Sequence, residues 1–515
     1  MKKSLHIILS VVLCLSLMLP GFATTVQAVD AVSDKNVSST ATIDQNFADN
    51  RVLVVLTREA SMTFTTYTAN SFASLGCVSV TDLSDATGAM VKAAMEQAME
   101  TFSSRGISDL PSTPVEHSET ISNYRQVLCL ELNEASKENV IKTIKLLSER
   151  DDVLYAGPDY VIEFSIPETS FTAMEEIDLI DNQRAMNDVI PDDEHYDRQW
   201  GAEKISLPRA WSYTTGSSDV VVGILDTGMN GSHDDLVNNI SVSLSRDFTS
   251  GTPQMVSSVS EGGGIFPTTH GTNVAGIIGA QGDNSTGIAG VCWDVTLVSL
   301  RVFRYFSQDE LPSGGIYEGV THGVQAYGSW VISAINYATS AGIDILNFSG
   351  GWMASNPSFV IFYDYGISSA ISNFPGLFVC AANNDNVDVD SDEDQDLPAS
   401  LNISNMIVVG ASDENDTKQE ISGYGQLSVD LFAPGNNIYT TSYSGYSYMP
   451  GTSLATAYVT GVAALMLAVN SDMTPSQLKH SLLITVDPVE ALEDLCVSGG
   501  RLDAANAVVS ALTTP

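Results

Sequence analysis

Three side chains in this sequence have the types and settings of an acyl-transfer site. Asp226 ends an apolar run over residues 220–225 and is followed by Thr227 and Gly228, so a carboxylate stands where a buried strand turns. His270 opens the stretch HGTNVAGIIGA, whose small residues allow close helix packing. Ser453 lies in GTSLATA at the head of an apolar segment reaching Val469. Its hydroxyl is thereby placed at a helix N-terminus, where backbone N–H groups and the dipole favour negative charge. Serine is a weak nucleophile at its own pKa. It needs a histidine to take its proton, an aspartate to fix that histidine's tautomer and stabilise the imidazolium, and preorganised donors for the oxyanion. Each residue alone also fits a plain structural role: a turn aspartate, a structural histidine, an N-cap serine. Their joint occurrence in the order Asp, His, Ser is what points to nucleophilic catalysis.

Residues so far apart in sequence must be brought together by the fold. Runs over 220–225, 295–302, 343–348, 377–382 and 406–410 are nearly continuously apolar, as in parallel strands covered on both faces. Residues 330–339 and 359–371 fit crossover helices between them. This alternation predicts an α/β, doubly wound, mostly parallel sheet over 196–515, with ligands beyond the carboxyl ends of the strands. Upstream, 52–56, 127–132 and 153–164 read as strands. Val91, Met95, Ala98 and Phe102 recur on one helical face, as do Val140, Ile144 and Leu147, so 50–165 is expected to form a small α+β domain with a loop over 103–124. Residues 166–195 are acidic without a sustained period and read as an exposed, cleavable linker. The segment 453–469 is short for a membrane span and contains Ser453, Thr456 and Thr460, so it reads as a buried central helix. Thr474-Pro475-Ser476-Gln477 has the form of a capping box.

The strings DTG, HGTNVAG, AANN, SGYGQLSVDLFAPG and GTSLATA, spread over 196–515, together resemble the subtilisin-like serine peptidases. The resemblance implies that Asp226, His270 and Ser453 are the triad and that Asn384 is the side-chain donor to the oxyanion. Asn383 stands where glycine is usual, and asparagine tolerates a positive φ better than most residues. Ser349, Gly350 and Gly351 match the segment that binds the substrate main chain as an added strand, with Gly350 in place of the common leucine; Ala381, Ala382 and Asn383 match the opposite wall. Ala457 replaces the usual proline after the nucleophile, and Tyr458 the frequent histidine.

The same resemblance implies structural Ca2+, an ion suited to oxygen ligands. Asp235 and Asn284 would give side-chain oxygens and Gln281, Thr286 and Ile288 carbonyls, with Asp192 or Asp193 completing the site. It also makes 50–165, ending in Tyr155-Ala156-Gly157-Pro158-Asp159-Tyr160, similar to an inhibitory propeptide that assists folding and blocks the cleft; an unrelated accessory domain is the alternative. A separate run carries Asp388, Asp390, Asp392, Asp394 and Asp396 at alternate positions, either solvated or neutralised by a cation. His233, His322 and His480 read as surface or structural residues.

Composition sets limits on this reading. With 22 Lys and Arg against 62 Asp and Glu the formal net charge is -40, which repels phosphate backbones and makes nucleic acid a poor partner. Met1-Lys2-Lys3, an apolar run over 8–19 and Val26-Gln27-Ala28 form a signal-peptide pattern with cleavage near Ala28. The expectation is a secreted protein with no membrane anchor after that cleavage. Cys14 leaves with the signal. The five remaining cysteines show neither a disulfide framework nor metal-ligand spacing, and Cys380 reads as a core residue. The function expected is a secreted serine endopeptidase made as a zymogen, acting on protein or peptide substrates with its own propeptide as intramolecular inhibitor. The alternatives are a catalytically silent peptide-binding protein on the same fold and a structural wall or adhesion protein.

Overall fold

A computed structural model of the chain describes residues 37–38, 47–84, 88–89, 92, 124–163, 188–249, 254–255, 269–306, 323–353, 366–391 and 396–514. The signal segment, the helical spacing from Val91 to Phe102, the stretch 103–123, most of the 166–195 linker, His322, Asp392 and Asp394 lie outside the described residues.

The N-terminal unit is an antiparallel sheet of β1 (Phe47–Leu56), β2 (Cys77–Asp82), β3 (Val127–Leu132) and β4 (Val153–Glu163), in the order β4-β1-β3-β2. Helix α1 (Lys137–Leu147) starts where the Ser136 side chain accepts the backbone N–H of Asn139, and it buries Val140, Ile144 and Leu147 against the sheet. The three expected strands and this helix are all present. β2 is an addition to them: its sequence CVSVTD mixes small polar residues with two valines and lacks the apolar run of its neighbours.

The main domain contains β5 (Gly216–Asp226), α2 (His270–Gly279), β6 (Asp294–Arg301), β7 (Gly323–Tyr327), α3 (Gly328–Ala341), β8 (Ile345–Phe348), β9 (Trp352–Met353), α4 (Ile367–Asn373), β10 (Leu377–Ala381) and β11 (Asp396–Leu397). It continues with β12 (Met406–Ser412), β13 (Leu431–Pro434), the hairpin β14 (Ile438–Ser442) and β15 (Gly445–Met449), α5 (Thr452–Val469), α6 (Pro475–Ile484) and α7 (Ala504–Thr513). Six parallel strands in the order β13-β12-β10-β8-β5-β6 form the centre of its sheet. Both faces are covered. Along β10, Phe378 and Cys380 pack with Ile335, Ile367 and Ile371, while Leu377 and Val379 join the opposite core with α5, which explains why the strand is apolar at every position. The chain passes from β5 to β6 on one side, then returns to β8 on the other and steps outward. That reversal puts the topological switch at β5, beside the carboxyl ends of β5 and β8. The expected helix 359–371 is seen from Ile367 within the described residues, and α5 is buried from Thr452 to Leu467. The capping box forms as read, with Thr474 accepting from Gln477 N.

The two units share a sheet. The end of β4 pairs antiparallel with β7, with Val161 opposite Tyr327 and Glu163 opposite Gln325. Beside this seam the Arg51 guanidinium meets the fully buried Asp159 carboxylate at 2.9 Å and lies 4.0 Å from the centre of the Tyr327 ring. Asp159 also accepts Ser329 N at 3.2 Å and Ser329 Oγ at 2.7 Å, so it caps the first turn of α3, where the dipole favours an anion. Burial pushes the Asp159 carboxyl up, opposed by Arg51 and Ser329. Arg51→Met would leave that carboxylate buried without its cation. The expected loss is about 3–5 kcal/mol in denaturant unfolding of the intact chain, partly recovered in Arg51→Met/Asp159→Asn; a loss no larger than that of an exposed arginine would show the pair to be dispensable.

Candidate active site

Asp226 is the last residue of β5 and is fully buried. Its Oδ1 accepts Thr227 N at 2.6 Å, and His270 Nδ1 lies 2.8 Å from Oδ2 and 2.9 Å from Oδ1. This contact orients the imidazole and leaves Nε2 as the nitrogen for proton transfer. Gly271 is required here: its N–H donates to Thr227 Oγ1 at 3.1 Å, and a Cβ would collide with the carbonyl oxygen of Gly228. The helices bearing His270 and Ser453, α2 and α5, pack against each other.

Ser453 is the second residue of α5, entered through Gly451 at φ 127°, a conformation suited to glycine. Its hydroxyl donates to Ser349 O at 3.3 Å, and Ser349 Oγ donates back to Ser453 O at 3.1 Å. Behind this exchange stands a buried polar string absent from the sequence reading. Asn347 Nδ2 donates to Ser349 Oγ at 2.9 Å, and Thr460 Oγ1 donates to Asn347 Oδ1 at 2.9 Å. The signal was there to find: Asn347 interrupts the otherwise apolar strand ILNF.

Asn384 lies opposite. Its Oδ1 accepts Thr452 N at 2.9 Å and Thr452 Oγ1 at 3.1 Å, which commits the amide oxygen and leaves the NH2 group as the donor. Asn383 has φ 74°, the left-handed conformation expected where glycine is usual, and its side chain accepts Asn384 N. A cleft open to solvent is lined by Ser349, Gly350, Gly351, Ala381, Asn383, Asn384 and Thr452. Five of the six residues expected to bind substrate therefore line it. Ala382 does not; it is buried and its N–H donates to Val409 O in the sheet, so it supports the wall from behind.

The residues expected around calcium also meet. Asp235 accepts Asn284 Nδ2 at 3.1 Å, Ile288 N at 2.9 Å and Tyr446 OH at 3.1 Å. Of the two alternatives, Asp193 is the buried one, with an Oδ1 that has no partner among the described residues, whereas exposed Asp192 is bonded to Ser285. Burial pushes the Asp193 carboxyl up to about 6, and the Asp235 charge adds to that effect. The carbonyls of Gln281, Thr286 and Ile288 accept none of the described hydrogen bonds. His233 is structural, with Nδ1 accepting Asp235 N and Nε2 3.0 Å from Gly445 O. The described members of the alternating aspartates, Asp388, Asp390 and Asp396, do not form one group. Asp388 Oδ1 accepts Asp390 N and Asp390 Oδ2 accepts Leu427 N, while Asp396 is fully buried in β11.

Fold and site together define a serine peptidase on a doubly wound α/β sheet. The chain belongs to the subtilase family, whose profile matches residues 217–503. It is similar to halolysin of Haloferax mediterranei, with 29% identity over 403 residues, which span 77% of this chain and 64% of halolysin. Thermitase of Thermoactinomyces vulgaris is 30% identical over 323 residues, 62% of this chain and 99% of thermitase. Among solved structures, a protease from Pseudoalteromonas arctica PAMC 21717 shares 27% identity over 62% of this chain and 99% of its own, with a TM-score of 0.47.

Thr460→Val tests the polar string. It leaves Asn347 Oδ1 buried without a donor, so stability should fall by about 1–3 kcal/mol in thermal or denaturant unfolding. Because Asn347 holds Ser349, kcat should fall more than KM rises; unchanged kcat would detach the string from the site.

Proposed function

We propose that this chain is an exported serine endopeptidase made as a zymogen, with Asp226, His270 and Ser453 as its triad. The observation that carries this reading is the buried Asp226 carboxylate on His270 Nδ1 at 2.8 Å, on a helix packed against the one bearing Ser453. In the reaction the Ser453 hydroxyl leaves the Ser349 carbonyl and gives its proton to His270 Nε2 as its oxygen attacks the substrate carbonyl. Asp226 stabilises the imidazolium. The oxyanion is held by Asn384 Nδ2, whose oxygen is already fixed by Thr452, and by the backbone N–H of Ser453. His270 then protonates the leaving amine, and water repeats the sequence on the acyl-enzyme.

The N-terminal unit is read as the intramolecular inhibitor. Support comes from β4 adding itself as a strand to β7, the mode by which peptides dock on sheet edges. Lys2, Lys3 and Val26-Gln27-Ala28 support export. Among the described residues, α5 is the one helix long and apolar enough to cross a membrane, and 89% of it is buried within the domain.

Structural calcium fits the donor set: the unpartnered buried Asp193 Oδ1, the three open carbonyls of Gln281, Thr286 and Ile288, and the side chains of Asp235 and Asn284 are hard oxygen donors from segments distant in sequence. Bound there, the ion would tie the 190s segment to the loops at Asp235 and 281–288; it has no part in the proton transfers.

Ser453→Ala should abolish peptide hydrolysis and fluorophosphonate labelling while leaving the unfolding midpoint nearly unchanged. Near-native turnover in the purified variant would remove the triad assignment. Asn384→Ala should lower kcat by about a hundredfold with little change in KM, the cost known for removing one such donor in subtilisin rather than one obtained from this geometry. An effect confined to KM would make Asn384 a ground-state contact.

Calcium should raise the melting temperature at matched ionic strength more than magnesium does, and Asp193→Asn and Asp235→Ala should weaken the response. A response equal for both ions would reduce the effect to relief of charge repulsion.

A further inference from the structure

The buried Asp396 is used by neither the triad nor the calcium ligands, yet it adjoins the cleft. β11, which it begins, pairs antiparallel with β9, with Trp352 opposite Leu397 and Met353 opposite Asp396. That pairing sets the aspartate behind Gly351, one of the three residues, Ser349, Gly350 and Gly351, that form this wall. A Cβ on residue 351 would stand 3.1 Å from Asp396 Oδ1 and 3.7 Å from Oδ2, so both carboxylate oxygens face this position, where glycine interposes no side chain. Burial first, then the charges of Asp430 and Asp396, push up the thiol of Cys380, the residue before Ala381.

The reacting geometry decides which substrate group meets this wall. With the scissile carbonyl between Ser453 Oγ and Asn384 Nδ2, and the main chain laid along 349–351, the side chain of the residue that supplies that carbonyl enters between the 349–351 and 381–384 walls. We propose that Asp396 is the specificity-determining residue of this pocket and that it selects lysine or arginine on the acyl side of the scissile bond. The proposal rests on the peptidase reading of the site. A carboxylate at the closed end of such a pocket is how an unrelated serine peptidase recognises cationic residues. Inside a partly dry cleft a guanidinium or ammonium on a carboxylate makes a charge-assisted contact that an apolar side chain cannot. Asp385, exposed directly after Asn384, adds a second negative charge near the entrance, and the excess of acidic residues over 196–515, nine Lys or Arg against 33 Asp or Glu, draws cationic segments toward it.

The test uses protein matured from the full chain and fluorogenic peptides that differ only at the acyl-side residue: arginine, its neutral isostere citrulline, and norleucine. Fluorophosphonate labelling of Ser453 reports on the peptidase reading and the arginine-to-citrulline ratio of kcat/KM on Asp396, so the two fail separately. The wild type should favour arginine over citrulline by about a hundredfold, and Asp396→Asn should bring that ratio to within about threefold of unity. A second measurement needs only the wild-type protein. A peptide ending in argininal should inhibit about a hundredfold more tightly than its norleucinal analogue. Preference for norleucine over arginine in either assay, or an Asp396→Asn variant that keeps the wild-type ratio, overturns the proposal.

Discussion

A sheet covered by helices on both faces can present polar chemistry only where its strands stop. The architecture of the main domain follows from that constraint. Strand interiors are apolar at successive positions, and the polar residues Asp226, Ser349 and Asn383–Asn384 come at or just after the carboxyl ends of β5, β8 and β10. Helix α5 brings Ser453 to the same edge because it runs across the strands with nearly every residue buried, so its first turn has no freedom to drift. Small residues make the approach possible: the α2 backbone reaches the Gly228 carbonyl only because residue 271 has no side chain.

Much of this was legible in the sequence for a local reason. Asp226, His270 and Ser453 sit in short strings whose glycines and small residues report a tight turn or a close helix contact, and continuous apolar runs report strands buried on both sides. Non-local pairings leave no such trace. The seam between β4 and β7, the bonds from Thr440 and Thr441 of β14 to the α2 backbone, and the bond from Thr460 to Asn347 each join residues that have no reason to be neighbours until the chain is folded. β13 escaped notice because four residues, LFAP, are too few for a period to show. The alternating aspartates show how little spacing alone says about environment. Of the described members of the run, Asp388 and Asp390 bond turn N–H groups while Asp396 is carried inward by pairing with β9.

Oxygen atoms without hydrogen-bond donors are the second theme. Around Asp235 the carbonyls of Gln281, Thr286 and Ile288 and one oxygen of Asp193 meet no donor among the described residues. A buried acceptor left open, such as the Asp193 oxygen, is costly, and a hard cation would satisfy several such oxygens at once. The Arg51–Asp159 pair solves the same problem within the protein, by supplying the carboxylate with a guanidinium, a backbone N–H and a hydroxyl. In both places the desolvated anion dictates what must stand beside it.

The seam between the two units also has a kinetic side. While one chain joins them, β4 meets β7 at an effective concentration set by the tether, and occupancy of that edge does not depend on how much protein is present. Cutting between them leaves every contact in place, the Arg51–Asp159 pair included, yet converts a first-order equilibrium into a second-order one. Dilution then favours separation, as it could not before. A single scission would thus make release of the edge strand depend on protein concentration.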